Sequence, residues 1–151
     1  LMVRGEEKGW RFYFLGGKEE VVEKAVKELK VKYPRLDVGG FHHGYFGEDE
    51  EIIEDINRVN PHILLVGLGS PRQECWIQGN RERINALVMM GVGGSFDVWS
   101  GTKKRAPRWM RKLNLEWAYR IICEPQRLRR VVPAFFNFAQ LVWKEKRGQM
   151  V

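Results

Sequence analysis

Residues 62–71 read HILLVGLGSP, an apolar run that stops at a glycine-rich turn. An apolar run of this length without polar alternation is typical of a parallel strand covered on both faces. Pro71 suits the first position of a helix, which we predict over residues 71–83. The stretch therefore predicts a buried strand, a tight turn and a helix in succession.

The same alternation continues in both directions along the chain. Helical segments are predicted where apolar side chains recur every three to four residues, and strands where short β-prone or apolar runs end at glycine. These strands and helices cover residues 11–15, 18–33, 36 onward, 48–58 and 86–91, the last as another buried strand. Strands that alternate with helices predict an α/β domain over residues 1–102, a Rossmann-like parallel sheet with flanking helices.

Glycine-rich turns follow three of the predicted strands, at residues 16–17, 67–69 and 91–94. Parallel strands point their carboxyl ends to one edge of the sheet, and ligands of such sheets bind outside that edge. We therefore expect the three turns to gather at one rim and to form a ligand site.

Charge is distributed unevenly along the 151 residues. Residues 1–102 carry 13 Lys and Arg against 16 Asp and Glu, a net charge of −3, whereas residues 103–151 carry 13 against 3, a net charge of +10. Short helices are predicted over 107–113 and 115–123, and a longer amphipathic helix from Pro125 to about Lys146. Residues 103–151 are thus predicted to form a basic helical C-terminal appendage.

Basic residues mixed with large apolar ones suit an anionic membrane surface, and the predicted long helix carries Phe135, Phe136 and Trp143. The alternative is an α/β module that binds nucleic acid through its basic tail, but the apolar stripe would then have no contact on a duplex. No apolar run approaches the roughly 18 residues of a membrane span. Residues 1–8 lack the apolar core of a signal peptide, so we expect a cytoplasmic protein with Cys75 and Cys123 as reduced core thiols.

The turn at residues 67–74 (GLGSPRQE) supports two interpretations. Ser70 and Gln73 fit a capping box, in which both side chains bond the backbone at a helix start. Alternatively, Gly67 and Gly69 let a phosphate approach the free N–H groups of that helix start, with Gln73 and Glu74 pointing at the same ligand. Arg72 stands where a dinucleotide fingerprint needs glycine, which disfavours a nicotinamide dehydrogenase.

The second candidate turn, residues 91–97 (GVGGSFD), also fails the dinucleotide fingerprint. Gly93 lets a ligand approach the backbone closely. Asp97 is a candidate acceptor for the hydroxyl groups of a ribose. The alternative is that Asp97 caps the next segment or occupies its first turn.

Residues 42–46 (HHGYF) follow the second strand, at the same predicted rim. We interpret Tyr45, or one of the histidines, as a contact to the substrate or its nucleobase, with a packed aromatic turn as the alternative. No cysteine or carboxylate lies at ligand spacing from the histidines, and the chain has no Asp-x-Asp pair. We therefore expect no metal site and no cofactor.

Cations for a phosphorylated ligand are available in the basic appendage. Arg120, Arg127 and Arg130 recur at spacings of seven and three residues; Arg127 and Arg130 share one helical face, and Arg120 shares it if the bend at Pro125 is mild. Arginine forks bind phosphate oxygens in pairs. The alternative is a solvated basic face.

Five motifs in this order resemble the WecG/TagA/CpsF glycosyltransferases, glycosyltransferase family 26. They lie at residues 67–74, 91–97, 101–110, 115–120 and 124–127, and residues 43–46 fit as well. The resemblance is closest to TagA-like N-acetylmannosaminyltransferases. It implies an inverting, metal-independent enzyme of cell-wall or surface polysaccharide synthesis, such as that of wall teichoic acid. Such an enzyme is peripheral at the inner face of the cell membrane.

The resemblance also implies substrates and residue roles. The donor would be UDP-N-acetylmannosamine or its uronic acid, and the acceptor N-acetylglucosamine linked to undecaprenyl diphosphate, with no nucleic acid involved. Gln73 would be the catalytic residue at the reacting sugar or acceptor, and Asp97 would bind the uridine ribose. The three arginines would close over the site from the appendage. Oligomeric state is left open, a homo-oligomer included.

Family members carry a further segment before the position of Leu1, and the resemblance places the general-base Asp there. We expect that this segment is missing, that the 151 residues are inactive without it, and that its absence leaves an exposed sheet edge or apolar face.

Overall fold

The computed structural model describes residues 1–123 together with positions 132, 136, 140 and 143. The chain divides into two units, Leu1–Lys104 and Arg105–Val151. The first unit contains four strands and five helices within the described residues. In chain order they are α1 (Met2–Lys8), β1 (Arg11–Gly16), α2 (Glu19–Lys32), β2 (Asp37–His42), α3 (Asp49–Val59), β3 (Ile63–Gly67), α4 (Arg72–Asn80), β4 (Val88–Gly91) and α5 (Ser95–Trp99).

The four strands form one parallel sheet in the order β2-β1-β3-β4. The chain runs from β1 outward to β2, returns past β1 to β3, and then continues to β4. The direction of winding therefore reverses between β1 and β3, which is the position where open α/β sheets bind ligands. The predicted α/β fold with a parallel sheet and flanking helices is confirmed.

Successive side chains of the central strands point to opposite faces of the sheet and pack into two separate cores. Phe12, Phe14 and Leu65 pack with α2 and with Phe96 of α5 on one face of the sheet. On the other face, the neighbouring positions of the same strands pack with α3 and α4. That second core consists of Tyr13, Leu15, Ile52, Ile53, Ile56, Leu64, Val66, Trp76 and Ile84. A strand covered on both faces needs an unbroken apolar run, which is why β1 and β3 were visible in the sequence.

The strand predicted over residues 86–91 is present, but the prediction that it is buried is wrong. β4 pairs with β3 at one edge of the sheet, and Leu87, Val88 and Met90 are 79%, 46% and 41% exposed. The run resembles β3 in composition, but the helices cover the centre of the sheet more fully than its margin.

Two other local predictions need correction. α4 begins at Arg72 with Pro71 as its N-cap residue and ends at Asn80, so it is shorter than residues 71–83. Cys75 and Cys123 are free thiols as predicted, but both are exposed instead of lying in a core. Cys75 faces outward because Gln73, Trp76 and Asn80, spaced three and four residues apart, form the buried face of α4.

The second unit begins with two short helices, α6 (Arg108–Lys112) and α7 (Glu116–Cys123), which confirm the helices predicted over 107–113 and 115–123. Asn114, in the turn between them, has a φ of 56°. Arg105, before α6, forms an ion pair of 3.8 Å with Glu116 in α7. The helix predicted over 125–146 lies outside the described residues except at positions 132, 136, 140 and 143, which are helical and exposed. Within the described part of the chain, no helix is both long and apolar enough to cross a bilayer.

Candidate active site at the glycine rim

The turns that follow β1, β2 and β3 are in direct contact at the carboxyl edge of the sheet. The Gly17 N–H donates to the Gly67 carbonyl at 3.2 Å, and the Gly44 N–H donates to the Gly17 carbonyl at 2.8 Å. Gly16 has a φ of 134°, and a β-carbon there would lie 2.5 Å from the Gly67 carbonyl carbon and oxygen. Glycine is therefore required for these backbones to approach each other so closely.

The turn after β4 joins the same cluster. The Val92 N–H donates to the Val66 carbonyl at 2.8 Å. A β-carbon on Gly67 would lie 3.1 Å from the Gly93 carbonyl oxygen and 2.8 Å from the Phe96 ring. The prediction that the glycine turns at 16–17, 67–69 and 91–94 gather at one rim is confirmed. The rim lies at the point between β1 and β3 where the winding reverses.

Gln73 connects the start of α4 to the turn after β4, and the capping-box interpretation of its side chain is wrong. The N-cap residue of α4 is Pro71, without a side-chain cap. The Gln73 side-chain carbonyl Oε1 accepts the Gly93 N–H at 2.9 Å, while its Nε2 donates to Glu74 Oε1 at 2.7 Å. The local Ser-x-x-Gln pattern is thus overridden by a partner 20 residues away.

Glu74 lies at the start of α4 and is exposed. The Gln73 amide holds the pKa of the Glu74 carboxyl below its ordinary value, and the Glu74 N–H and the Ser70 hydroxyl act in the same direction. The carboxylate is therefore ionised at neutral pH and accepts hydrogen bonds only. A lowered pKa also makes Glu74 a poor general base, because an efficient base has a pKa near the working pH.

Asp97 is not the N-cap residue of α5, which is Gly94, but it lies in the first turn of that helix, so the second part of the alternative interpretation holds. Its carboxylate Oδ2 is 3.1 Å from Lys103 Nζ, and its carbonyl accepts the Lys103 N–H at 2.9 Å. Lys103 was missed in the sequence because it stands in a run of basic residues that shows no helical spacing. The ion pair places a cation next to the candidate ribose-binding carboxylate.

The segment after β2 combines a packed aromatic turn with one exposed ring. The His42 and His43 rings lie 4.3 Å apart, Phe46 contacts Trp76 with ring centroids 6.3 Å apart, and the Arg72 guanidinium stands 5.7 Å from the Phe46 ring. Tyr45 is instead 70% exposed, and its N–H donates to His43 Nδ1 at 3.2 Å. Tyr45 is thus the aromatic side chain of this turn that is open to a ligand.

Comparison with known proteins assigns a family to this arrangement. The model of the glycosyl transferase WecG/TagA/CpsF family matches residues 1–151. The chain belongs to that family.

Two curated relatives of this WecG/TagA/CpsF chain carry the same name, N-acetylglucosaminyldiphosphoundecaprenol N-acetyl-beta-D-mannosaminyltransferase. The protein from Bacillus subtilis (strain 168) is 38% identical over 149 residues, which cover 99% of this chain and 58% of the relative. The protein from Staphylococcus aureus (strain NCTC 8325 / PS 47) is 42% identical over 143 residues, covering 92% of this chain and 56% of the relative. The chain thus spans a little over half the length of these relatives.

The remaining candidate residues of this family member belong to the second unit or lie outside the described residues. Arg120 belongs to α7, in the second unit. Arg127 and Arg130 lie outside the described residues, so the predicted role of the three arginines stays a prediction. Within the described residues, no group of three or more His, Cys, Asp or Glu side chains is placed to hold a metal ion.

Proposed function

We propose that the chain supplies the sugar-nucleotide-binding part of an inverting, metal-independent glycosyltransferase. The enzyme moves N-acetylmannosamine, or alternatively its uronic acid, from a UDP donor to N-acetylglucosamine carried on undecaprenyl diphosphate. Membership of the WecG/TagA/CpsF family and the names of the two relatives support this assignment. Such a reaction belongs to the synthesis of cell-wall polymers at the inner face of the cell membrane.

The proposal rests on one observation: the glycine turns lie in direct contact at the carboxyl edge of the sheet, where its winding reverses. Gly69 and Gly93 in these turns have no atom within 4 Å of the position of a β-carbon, which leaves room for a diphosphate at the backbone. Asp97 then accepts from the ribose hydroxyls at one end of the rim. Gln73 and Glu74 lie at the start of α4, where the sugar is expected. Lys103 adds positive charge near the leaving diphosphate, which matters because a metal-independent transfer needs protein cations there.

UDP binding tests the proposed role of Asp97. We expect the Asp97→Asn variant to bind UDP roughly tenfold more weakly than the wild-type chain, because the amide replaces a charged acceptor by a neutral one. Isothermal titration calorimetry of the full chain measures both affinities. Asp37→Asn is the matched control, since Asp37 pairs with Arg11 at the opposite end of the sheet. Equal weakening by both substitutions would argue against a ribose contact at Asp97.

Metal removal tests the second part of the proposal. We expect the affinity for UDP to be the same in excess EDTA and in millimolar Mg²⁺ or Mn²⁺, because the proposed site holds the diphosphate with protein groups alone. Calorimetry in the two buffers at equal ionic strength makes the comparison. A gain of more than about tenfold with either metal, the equivalent of ~1.4 kcal/mol, would show that a cation completes the site.

A further inference from the structure

We propose that Gln73 is a positioning residue, whose amide ties the turn after β4 to the start of α4 and directs the Glu74 carboxylate at the bound sugar. This inference rests on the proposed function. It differs from the role implied by the family resemblance, in which Gln73 itself touches the reacting groups.

The Gln73 side chain is largely closed to a ligand. Its exposed fraction is 6%, its Oε1 is occupied by the Gly93 N–H and its Nε2 by Glu74 Oε1. A buried amide whose oxygen and nitrogen both have protein partners fixes the elements that it joins. Only the second Nε2 hydrogen and the second Oε1 lone pair remain for a substrate, on a side chain that is 6% exposed.

Gly91 provides the space that the bridge needs. A β-carbon at Gly91 would lie 2.6 Å from Gln73 Nε2 and 2.9 Å from its Cδ. Gly91 does not adopt a positive φ, so its backbone conformation does not explain the glycine. The absence of a side chain at residue 91 therefore serves the position of the Gln73 amide.

Glu74 is the group that the bridge presents to a ligand. It is exposed at the start of α4, next to the buried amide that holds one of its oxygens. An ionised carboxylate with free lone pairs accepts from sugar hydroxyl groups or from the N–H of an N-acetyl group. Because Gln73 restrains its rotamer, less side-chain entropy is lost when the sugar binds.

A titration of the Glu74 carboxyl group tests the bridge without relying on activity. In the ¹³C-labelled full chain, we expect Gln73→Met to shift the midpoint of the Glu74 carboxyl resonance upward, because the amide is the largest cause of its lowered pKa. The Gly93 amide resonance should move as well. Gln78→Met, at an exposed position of the same helix, is the matched control and should change neither signal.

Affinities for UDP-N-acetylmannosamine test the coupling between the two side chains. We expect Gln73→Met to weaken binding roughly tenfold, the loss of about one hydrogen bond to a charged group, with a smaller effect on UDP. The double variant with Glu74→Gln should bind no more weakly than Glu74→Gln alone, since Gln73 acts through Glu74. In Gln73→Glu, a side-chain oxygen can still accept the Gly93 N–H, so the turn after β4 should keep its position. The second carboxylate beside Glu74 should nevertheless leave the affinity for UDP-N-acetylmannosamine as low as in Gln73→Met.

Two results would overturn the inference: an unchanged Glu74 midpoint in Gln73→Met, or fully additive losses in the double variant. Failure of the proposed function gives a different pattern. A wild-type chain that binds neither UDP nor the sugar nucleotide would refute that function and the ligand role of Glu74, whatever the titration shows.

Discussion

Replacing Gly16 by alanine is expected to destabilise the first unit by about 3 kcal/mol or more, because a side chain there is opposed by both strain and a clash. The φ of 134° lies in a region that alanine avoids, and the new methyl group would lie 2.5 Å from the Gly67 carbonyl group. The neighbouring atoms belong to the backbone of β3 and cannot rotate away. Urea unfolding followed by circular dichroism measures the change.

Gly9→Ala separates the two causes of this loss. Gly9 also has a positive φ, 65°, but no atom lies within 4 Å of the position of its β-carbon. Strain without a clash should cost about 1 kcal/mol. Equal unfolding midpoints for the two variants would mean that the turns after β1 and β3 separate easily, and that the close packing of the rim is not needed for folding.

The same substitution links the fold to the site. If β1 and β3 move apart at their carboxyl ends, the bonds from Gly17 to Gly67 and from Gly44 to Gly17 are lost with them. We therefore expect any Gly16→Ala protein that still folds to bind UDP more weakly, although Gly16 carries no functional side chain.

Patterns confined to short stretches predicted most of the fold. An apolar run that ends at glycine specifies a strand and its turn, and this located β1 and β3 together with the glycine rim. The strand order β2-β1-β3-β4 does not follow from such runs, because it depends on which helix covers which face. The exposure of β4 illustrates this, since residues 86–91 are as apolar as a buried strand but lie at the sheet edge.

The candidate site was predictable in its location but less so in its bonding. Gln73 and Gly93 were both candidates, yet the pairing of Gln73 with Gly93 was hidden by a nearer candidate partner, Ser70. Gly91 gave no sign of its role, because a glycine that makes room for a distant side chain looks like any other. Lys103 was hidden in a basic run. Contacts between residues far apart in sequence leave no mark on local spacing.

Exposed aromatic residues of the second unit lead to the last prediction, which concerns the membrane. Trp109 on α6 and Trp117 on α7 are 61% and 64% exposed. Residues 103–151 around them carry a net charge of +10. Large apolar side chains and basic charge on short helices favour the headgroup region of an anionic bilayer. We therefore expect the membrane contact to lie partly before residue 124, ahead of the helix predicted from Pro125.

Replacing both tryptophans by serine is expected to weaken partitioning onto phosphatidylglycerol-containing vesicles about hundredfold. A tryptophan that enters the headgroup boundary gains about 1.5 kcal/mol, near the lower value for a fully buried large side chain. Two such losses correspond to roughly two factors of ten. Co-sedimentation with vesicles of phosphatidylglycerol and phosphatidylcholine measures the change.

Val31→Ser combined with Leu87→Ser is the matched control, because both positions are exposed and apolar but belong to the first unit, at 78% and 79% exposure. Only the tryptophan variant should lose vesicle binding. Raised salt should also weaken vesicle binding by the wild type, because it screens the basic residues. If the control loses as much as the tryptophan variant, apolar exposure in general would explain the binding. If the wild type binds a DNA duplex with a steep salt dependence and ignores vesicles, the basic segment serves nucleic acid instead.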